Sequence, residues 1–281
     1  MNFTVFTQLF NKIDQVTKTY VTDISSKAIV TITPFVSVGL TIAFLIYGWL
    51  IIRGAIDMPL SGFVSRFLRI SIITSIALTT GLYQSDIANL ITQMPRDLSG
   101  ALMTNPLSDT QLMNLLDKTA GNGFRYAGHL FQETIFFEAN GMLYGLLAIL
   151  ILLATSLVVA IGGGLVILTK IAIVLLVGWG PIFIIALLWQ PTYRFFEQWL
   201  IQIINYIILF LLLATVFNVM MNIFANYLAD MRLDYQQNTS FMFGGALVLS
   251  IISIMLLLKL SSIANSLAKG ITFGHLWKQR N

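Results

Sequence analysis

Apolar runs long enough to cross a bilayer recur along this chain, but the first thirty residues follow a different pattern. Phe3, Phe6, Phe10, Ile13, Val16, Tyr20 and Ile24 repeat at steps of three and four, the spacing of one face of a helix. Lys and Arg are not gathered on its polar side, as a helix lying on a membrane prefers. Residues 1–30 are therefore expected to form an amphipathic helix whose apolar seam packs against a neighbouring subunit.

Residues 31–52 are predominantly apolar and predict a first spanning helix. The stretch "RGAIDMPLSGFVSR" follows, broken by Gly54, Pro59 and Gly62. A weaker second span, residues 63–82, carries Ser71, Thr74, Ser75, Thr79 and Thr80, and residues 83–140 form a long extramembrane loop. Two helices are expected in that loop, 107–120 and 124–137, hinged at Gly121–Asn122–Gly123. A third span at 141–161 should end at "GGG", residues 162–164, as helices commonly end at glycine. Residues 165–188 are apolar but interrupted by Gly178, Gly180 and Pro181. Residues 199–228 and 241–263 complete the spans, and 264–281 form a tail. The membrane-embedded core is thus 141–263. This is an all-α, polytopic membrane pattern of about five full spans plus one broken segment.

Composition excludes a soluble domain. The chain is 57% hydrophobic and 10% charged, against roughly 25% charged in ordinary soluble domains. No compact apolar core of a cleavable signal is found before Lys27.

Charge then orients the chain through the excess of Lys and Arg on cytoplasmic segments. Lys259, Lys269, Lys278 and Arg280 assign the tail to the cytoplasm, and Arg53, Arg66 and Arg69 assign the first loop there too. The large loop is net acidic, as is the turn holding Asp230, Arg232 and Asp234, so both belong outside. These assignments conflict if every apolar segment crosses. The broken segment 165–188 is the natural one to turn back, as a re-entrant hairpin that leaves Lys170 and Arg194 cytoplasmic. Two alternatives stay open: a full span kinked at Pro181, about 36 Å long at 1.5 Å per residue, or a second span that fails to cross.

The residues that carry catalysis or ligation are scarce. There is no cysteine, and the two histidines, His129 and His275, are far apart and without a motif. No metal-binding, nucleotide-binding or nucleophile signature is present, so no enzyme activity, cofactor or metal is expected. A broken helix also suits a small-solute transporter or channel. However, no Asp or Glu lies within the apolar segments to couple an ion. Assembly chemistry is better represented. Ser156, Ala160 and Gly164 are spaced four apart, a pattern that lets helices approach closely. Asn218, Asn222 and Asn226 form a polar stripe that should meet another helix or water.

The segment "KIAIVLLVGWGPIFIIALLWQPTYRFFEQWLIQIINYIILFLLL" resembles the signature region of the polytopic inner-membrane subunit of bacterial type IV secretion systems, the TrbL and sixth-VirB-subunit family. The resemblance rests on Lys170, Gly180, Pro181, Phe183, Thr192, Arg194 and Trp199. It is specific across about residues 170–213 and architectural elsewhere. It implies a multi-pass protein of the bacterial inner membrane, N-terminus periplasmic and C-terminus cytoplasmic. It further implies a homo-oligomer in contact with membrane lipid at the base of the conjugation channel or pilus. Its partners would be a minor pilin or stalk protein, other inner-membrane secretion subunits and separate secretion ATPases, with transient contact to translocating DNA or protein. Phe124, Tyr126, Phe131, Phe136 and Phe137 would then anchor a periplasmic partner, since aromatic side chains dominate interface energetics. The acidic loop is a poor surface for phosphates.

Overall fold

The computed structural model describes residues 3–54, 60–102, 109–132, 139–230 and 239–270. Phe136, Phe137 and the tail beyond residue 270 lie outside them. Helices are the only regular structure among the described residues: α1 (Val5–Ile52), α2 (Leu60–Leu78), α3 (Thr80–Leu82), a π turn (Tyr83–Ala88), α4 (Asn89–Leu102), α5 (Asp109–Gln132), α6 (Ala139–Gly178), α7 (Gly180–Ile185), two 3-10 turns (Ala186–Leu188 and Gln190–Thr192), α8 (Tyr193–Asp230) and α9 (Thr239–Lys269). Four stretches are long and apolar enough to cross a membrane: Val5–Ile52, Tyr144–Gly178, Gln190–Phe224 and Leu247–Lys269. The helices either side of Thr79 make a fifth if counted as one span, bent by 73°.

Several sequence-based boundaries are corrected. The amphipathic start and the first span are one helix of 48 residues. The Gly121–Asn122–Gly123 hinge is absent, because α5 runs through it. The triple glycine does not end a helix either, since α6 continues through it for 40 residues in all. Close packing explains this. A Cβ on Gly162 would lie 2.2 Å from the Phe217 ring, and one on Gly163 would lie 2.5 Å from the Phe6 ring. A helix end in an apolar setting would also leave backbone groups unsatisfied. These glycines admit neighbouring aromatic rings instead of stopping the chain.

The chain divides into two compact units. The first unites residues 3–15, 95–171 and 205–270 among those described. Its core joins Phe10 of α1, Leu112 and Leu116 of α5, Val158 and Val166 of α6, Leu213 and Phe217 of α8, and Leu257 and Ala264 of α9. The start of the N-terminal apolar seam packs on the chain's own helices: Phe10 is buried and Phe3 sets its ring edge-on to Phe124 at 5.2 Å. Val16 alone of that seam faces outward, 60% exposed.

Asp117 anchors this arrangement. Buried on α5, it accepts the backbone N–H groups of Phe6 and Thr7, each at 2.9 Å, and the Thr7 hydroxyl. First-turn N–H groups have no partner within their own helix, and an anion there complements the helix dipole. A side chain from over a hundred residues away thus supplies the missing cap of α1.

The second unit unites residues 16–94 and 172–204. Gln84 of the π turn donates to Thr22 O, Ser25 Oγ and Ser26 Oγ, all at 2.9 Å, which ties that turn to α1. Ser25 is completely buried. Tyr83, where the extramembrane loop was expected to open, is fully buried in this unit.

Asp117→Ala should leave two first-turn donors unpaired and destabilise the first unit by roughly 1–3 kcal/mol. Amide hydrogen exchange of residues 5–10 should accelerate while that of residues 40–50 stays unchanged. Unaltered exchange at the N-terminus would refute the capping role.

Candidate functional site at the broken helix

Six of the seven signature residues fall in the second unit, around the point where α6 stops. Pro181 has no N–H, so the carbonyl of Val177, four residues earlier, has no helical donor. α6 ends at Gly178, with Trp179 N still bonded to Leu175 O, and Ile182 N turns back to Trp179 O. The carbonyls of Leu176 and Val177 are left facing apolar surroundings, where an unsatisfied group costs several kcal/mol.

Two side chains from elsewhere in the chain fill both gaps. The Tyr83 hydroxyl donates to Val177 O in a short, buried hydrogen bond. The Trp199 indole donates to Leu176 O at 2.8 Å. The break is thus closed by one donor from the π turn and one from α8.

Gly180 makes this geometry possible. A Cβ there would sit 1.9 Å from the Tyr83 hydroxyl and 3.1 Å from the Trp199 ring. Pro181 lies in the first turn of α7, where its fixed φ is tolerated. Phe183 stacks on Trp199, with ring centroids 5.9 Å apart and planes inclined by 14°, and Phe196 packs on the same indole at 5.6 Å. The Thr192 hydroxyl closes the following turn by donating to Ala186 O at 2.8 Å and Trp189 O at 3.1 Å. Arg194 begins α8 and is exposed.

Lys170 belongs to the first unit and sits apart from this cluster in the chain. It pairs with Asp14 and lies 3.8 Å from the centroid of the Phe10 ring. The N-terminal helix supplies the counter-charge that the apolar segments lack.

The remaining sequence-derived residues are dispersed. Ser156 is half-buried, with its hydroxyl turned onto Leu152 O; Ala160 and Gly164 are exposed. Nothing lies within 4 Å of the Cβ position of Gly164. Asn222 donates to both the backbone and side-chain oxygens of Asn218, and Asn222 and Asn226 are exposed. Of the aromatic anchors, Phe124 is half-buried and packs on Phe3, and Tyr126 is buried among Leu130, Ile151 and Phe224. Phe131 is 44% exposed.

Tyr83 was missed by sequence reasoning. The Gly-Trp-Gly-Pro break announced that two carbonyls needed donors, but nothing in the spacing pointed to a residue 98 positions before Pro181. The site's polar groups are committed to backbone carbonyls, so it holds a shape between helices.

Residues 40–260 match the family model described as TrbL/VirB6 plasmid conjugal transfer protein. Among curated proteins, the chain is similar to the type IV secretion system protein VirB6 of Bartonella henselae, 26% identical over 231 residues that cover 80% of this chain and 67% of that one. It is 27% identical to the protein of that name from Brucella abortus over 191 residues, covering 66% of this chain and 55% of the relative. The Bartonella quintana protein of the same name is 25% identical over 231 residues. The match thus spans about two thirds of the length of the Bartonella relatives and just over half that of the Brucella one.

Tyr83→Phe should destabilise the protein by roughly 1–3 kcal/mol, because Val177 O loses its donor without gaining water. Gly180→Ala should cost at least as much by displacing the hydroxyl. The two should be clearly less than additive in thermal unfolding of the purified protein, since both remove the same bond. Full additivity would refute the link between Gly180 and Tyr83.

Proposed function

The chain belongs to the TrbL/VirB6 family of type IV secretion subunits, and on that premise we propose that it forms an oligomeric platform in the inner membrane. In this reading it supports the pilus or channel through which DNA or protein is transferred. One observation carries the proposal: polar and small residues on apolar helices remain uncovered within a single chain. Asn222 and Asn226 are exposed on α8, and Ala160 and Gly164 are exposed on α6. An amide facing hydrocarbon is costly, and a small-residue stripe lets a second helix approach closely. A second copy satisfies both.

The helix order supports an orientation with the N-terminus periplasmic. With α6 uninterrupted, and with α2 to α4 counted as one bent span, the chain crosses five times. The first loop, with Arg53, Arg66 and Arg69, then shares the cytoplasmic side with Arg194 and the basic tail. The two acidic loops share the other side. The loops between spans and the tail then obey the positive-inside bias without a re-entrant segment. Among the described candidate anchors, Phe131 is the most exposed to a stalk or minor pilin protein. As the family resemblance implies, separate ATPases would drive transfer.

Two measurements in cells carrying the secretion genes test this. The chain has no cysteine, so single substitutions can be read directly. Ala160→Cys or Asn222→Cys should yield disulfide-linked dimers on oxidation, while Asn11→Cys, on the exposed polar side of α1, should not. A membrane-impermeant maleimide should label Thr110→Cys once the outer membrane is opened, and should label Gln190→Cys only after lysis. Monomer at both membrane positions would overturn the oligomer; labelling of Gln190→Cys in intact cells would overturn the orientation.

A further inference from the structure

The second unit contains a cavity of about 530 Å³ where the start of α2 meets the turn between α7 and α8. Arg66, Arg69, Ile70 and Ile73 line one wall; Trp189 and Tyr193 stand on the other, above Leu187 and Leu188. No carboxylate is among the described lining residues. Nothing in the helix-closing cluster around Tyr83 uses this space.

The lining is graded along α2. Arg66 and Arg69 are one turn apart, so both guanidinium groups lie towards the same side of the helix. Ile70 and Ile73 continue that side deeper into the apolar run. From Arg66 to Ile73 the wall passes from cationic to aliphatic over about 10 Å of helix. Tyr and Trp on the facing wall are side chains that favour the boundary between headgroups and hydrocarbon. The Arg66 guanidinium also lies 5.1 Å from the centroid of the Tyr47 ring, which restrains it at the cavity rim.

We propose that this cavity binds the headgroup of an anionic phospholipid. Its phosphodiester contacts Arg66 and Arg69, and the first part of an acyl chain lies against Ile70, Ile73 and Leu188. Arginine suits the role because its planar fork matches phosphate oxygens and stays charged at any physiological pH. A free phosphate ester would satisfy the arginines but leave the aliphatic wall unused. A zwitterionic lipid would fill the wall and offer the same phosphodiester, but it would bring a cation of its own beside two guanidinium groups. Only an amphiphile with a net negative head matches both ends. The site holds in whichever leaflet the start of α2 lies, so it stands apart from the orientation argued above.

Native mass spectrometry of the full chain tests the proposal, using vesicle-derived phosphatidylglycerol and phosphatidylcholine as probes. The unaltered protein should retain phosphatidylglycerol in clear preference to phosphatidylcholine. Each of Arg66→Gln and Arg69→Gln should reduce that preference roughly fivefold, and the pair roughly 25-fold, as expected for basic groups at an anionic surface. Arg53→Gln, whose guanidinium sits over Trp49 and does not line the cavity, should leave it unchanged. A second arm needs no variant: an excess of glycerol 1-phosphate should fail to displace the bound lipid. Equal retention of the two lipids, an unchanged preference in the folded double variant, or displacement by glycerol 1-phosphate would each overturn the assignment.

Discussion

A backbone carbonyl without a donor is the constraint on which the second unit depends. Pro181 removes the N–H that Val177 O would have received, and the helix turns away before Gly180 can serve Leu176 O. In water such groups would be hydrated at little cost. In apolar surroundings they must be met by protein, and Tyr83 and Trp199 meet them. The break is therefore a junction between three parts of the chain. The π turn, the end of α6 and the start of α8 are held together by the chemistry of the gap itself.

This account gives the residues from Gly180 to Trp199 a physical content. Gly180 leaves room for the Tyr83 hydroxyl, Pro181 creates the demand, Trp199 answers half of it, and Phe183 stacks on the indole that does so. Thr192 closes the turn leading into α8. These residues fix how α8 leaves the break. The first unit uses a comparable device, with Asp117 capping α1 and Asp14 pairing with Lys170. In both units, polar side chains serve to satisfy charges and backbone groups that would otherwise be stranded. That is consistent with a subunit whose work is positional.

The glycines separate into two kinds. Gly162, Gly163 and Gly180 stand where another side chain comes too close for a Cβ, and each faces an aromatic ring or its hydroxyl. Gly164 meets nothing within the chain. The first kind is accounted for by intramolecular packing; the second is left on the outer surface beside Ala160, where a second copy would find it. A stripe of small residues in a sequence does not distinguish these two uses, because both need only the absence of bulk.

The sequence by itself determined the class of protein, the long helices and the position of the break. Apolar runs of this length have one stable form in a bilayer, and proline cannot continue a hydrogen-bonded helix. The family resemblance also grouped Lys170, Gly180, Pro181, Phe183, Thr192, Arg194 and Trp199 as one candidate motif. Only the tertiary structure decided what they contact. It showed that the triple glycine continues a helix, that the bend of 73° falls at Thr79, and that the start of the N-terminal seam packs on the chain's own helices. It also identified Tyr83 and Asp117 as the donor and acceptor that complete two helix ends. Local pattern reports what a segment can bury and where its backbone bonds fail. Which distant side chain fills the gap depends on how helices approach in space, and sequence spacing does not encode that.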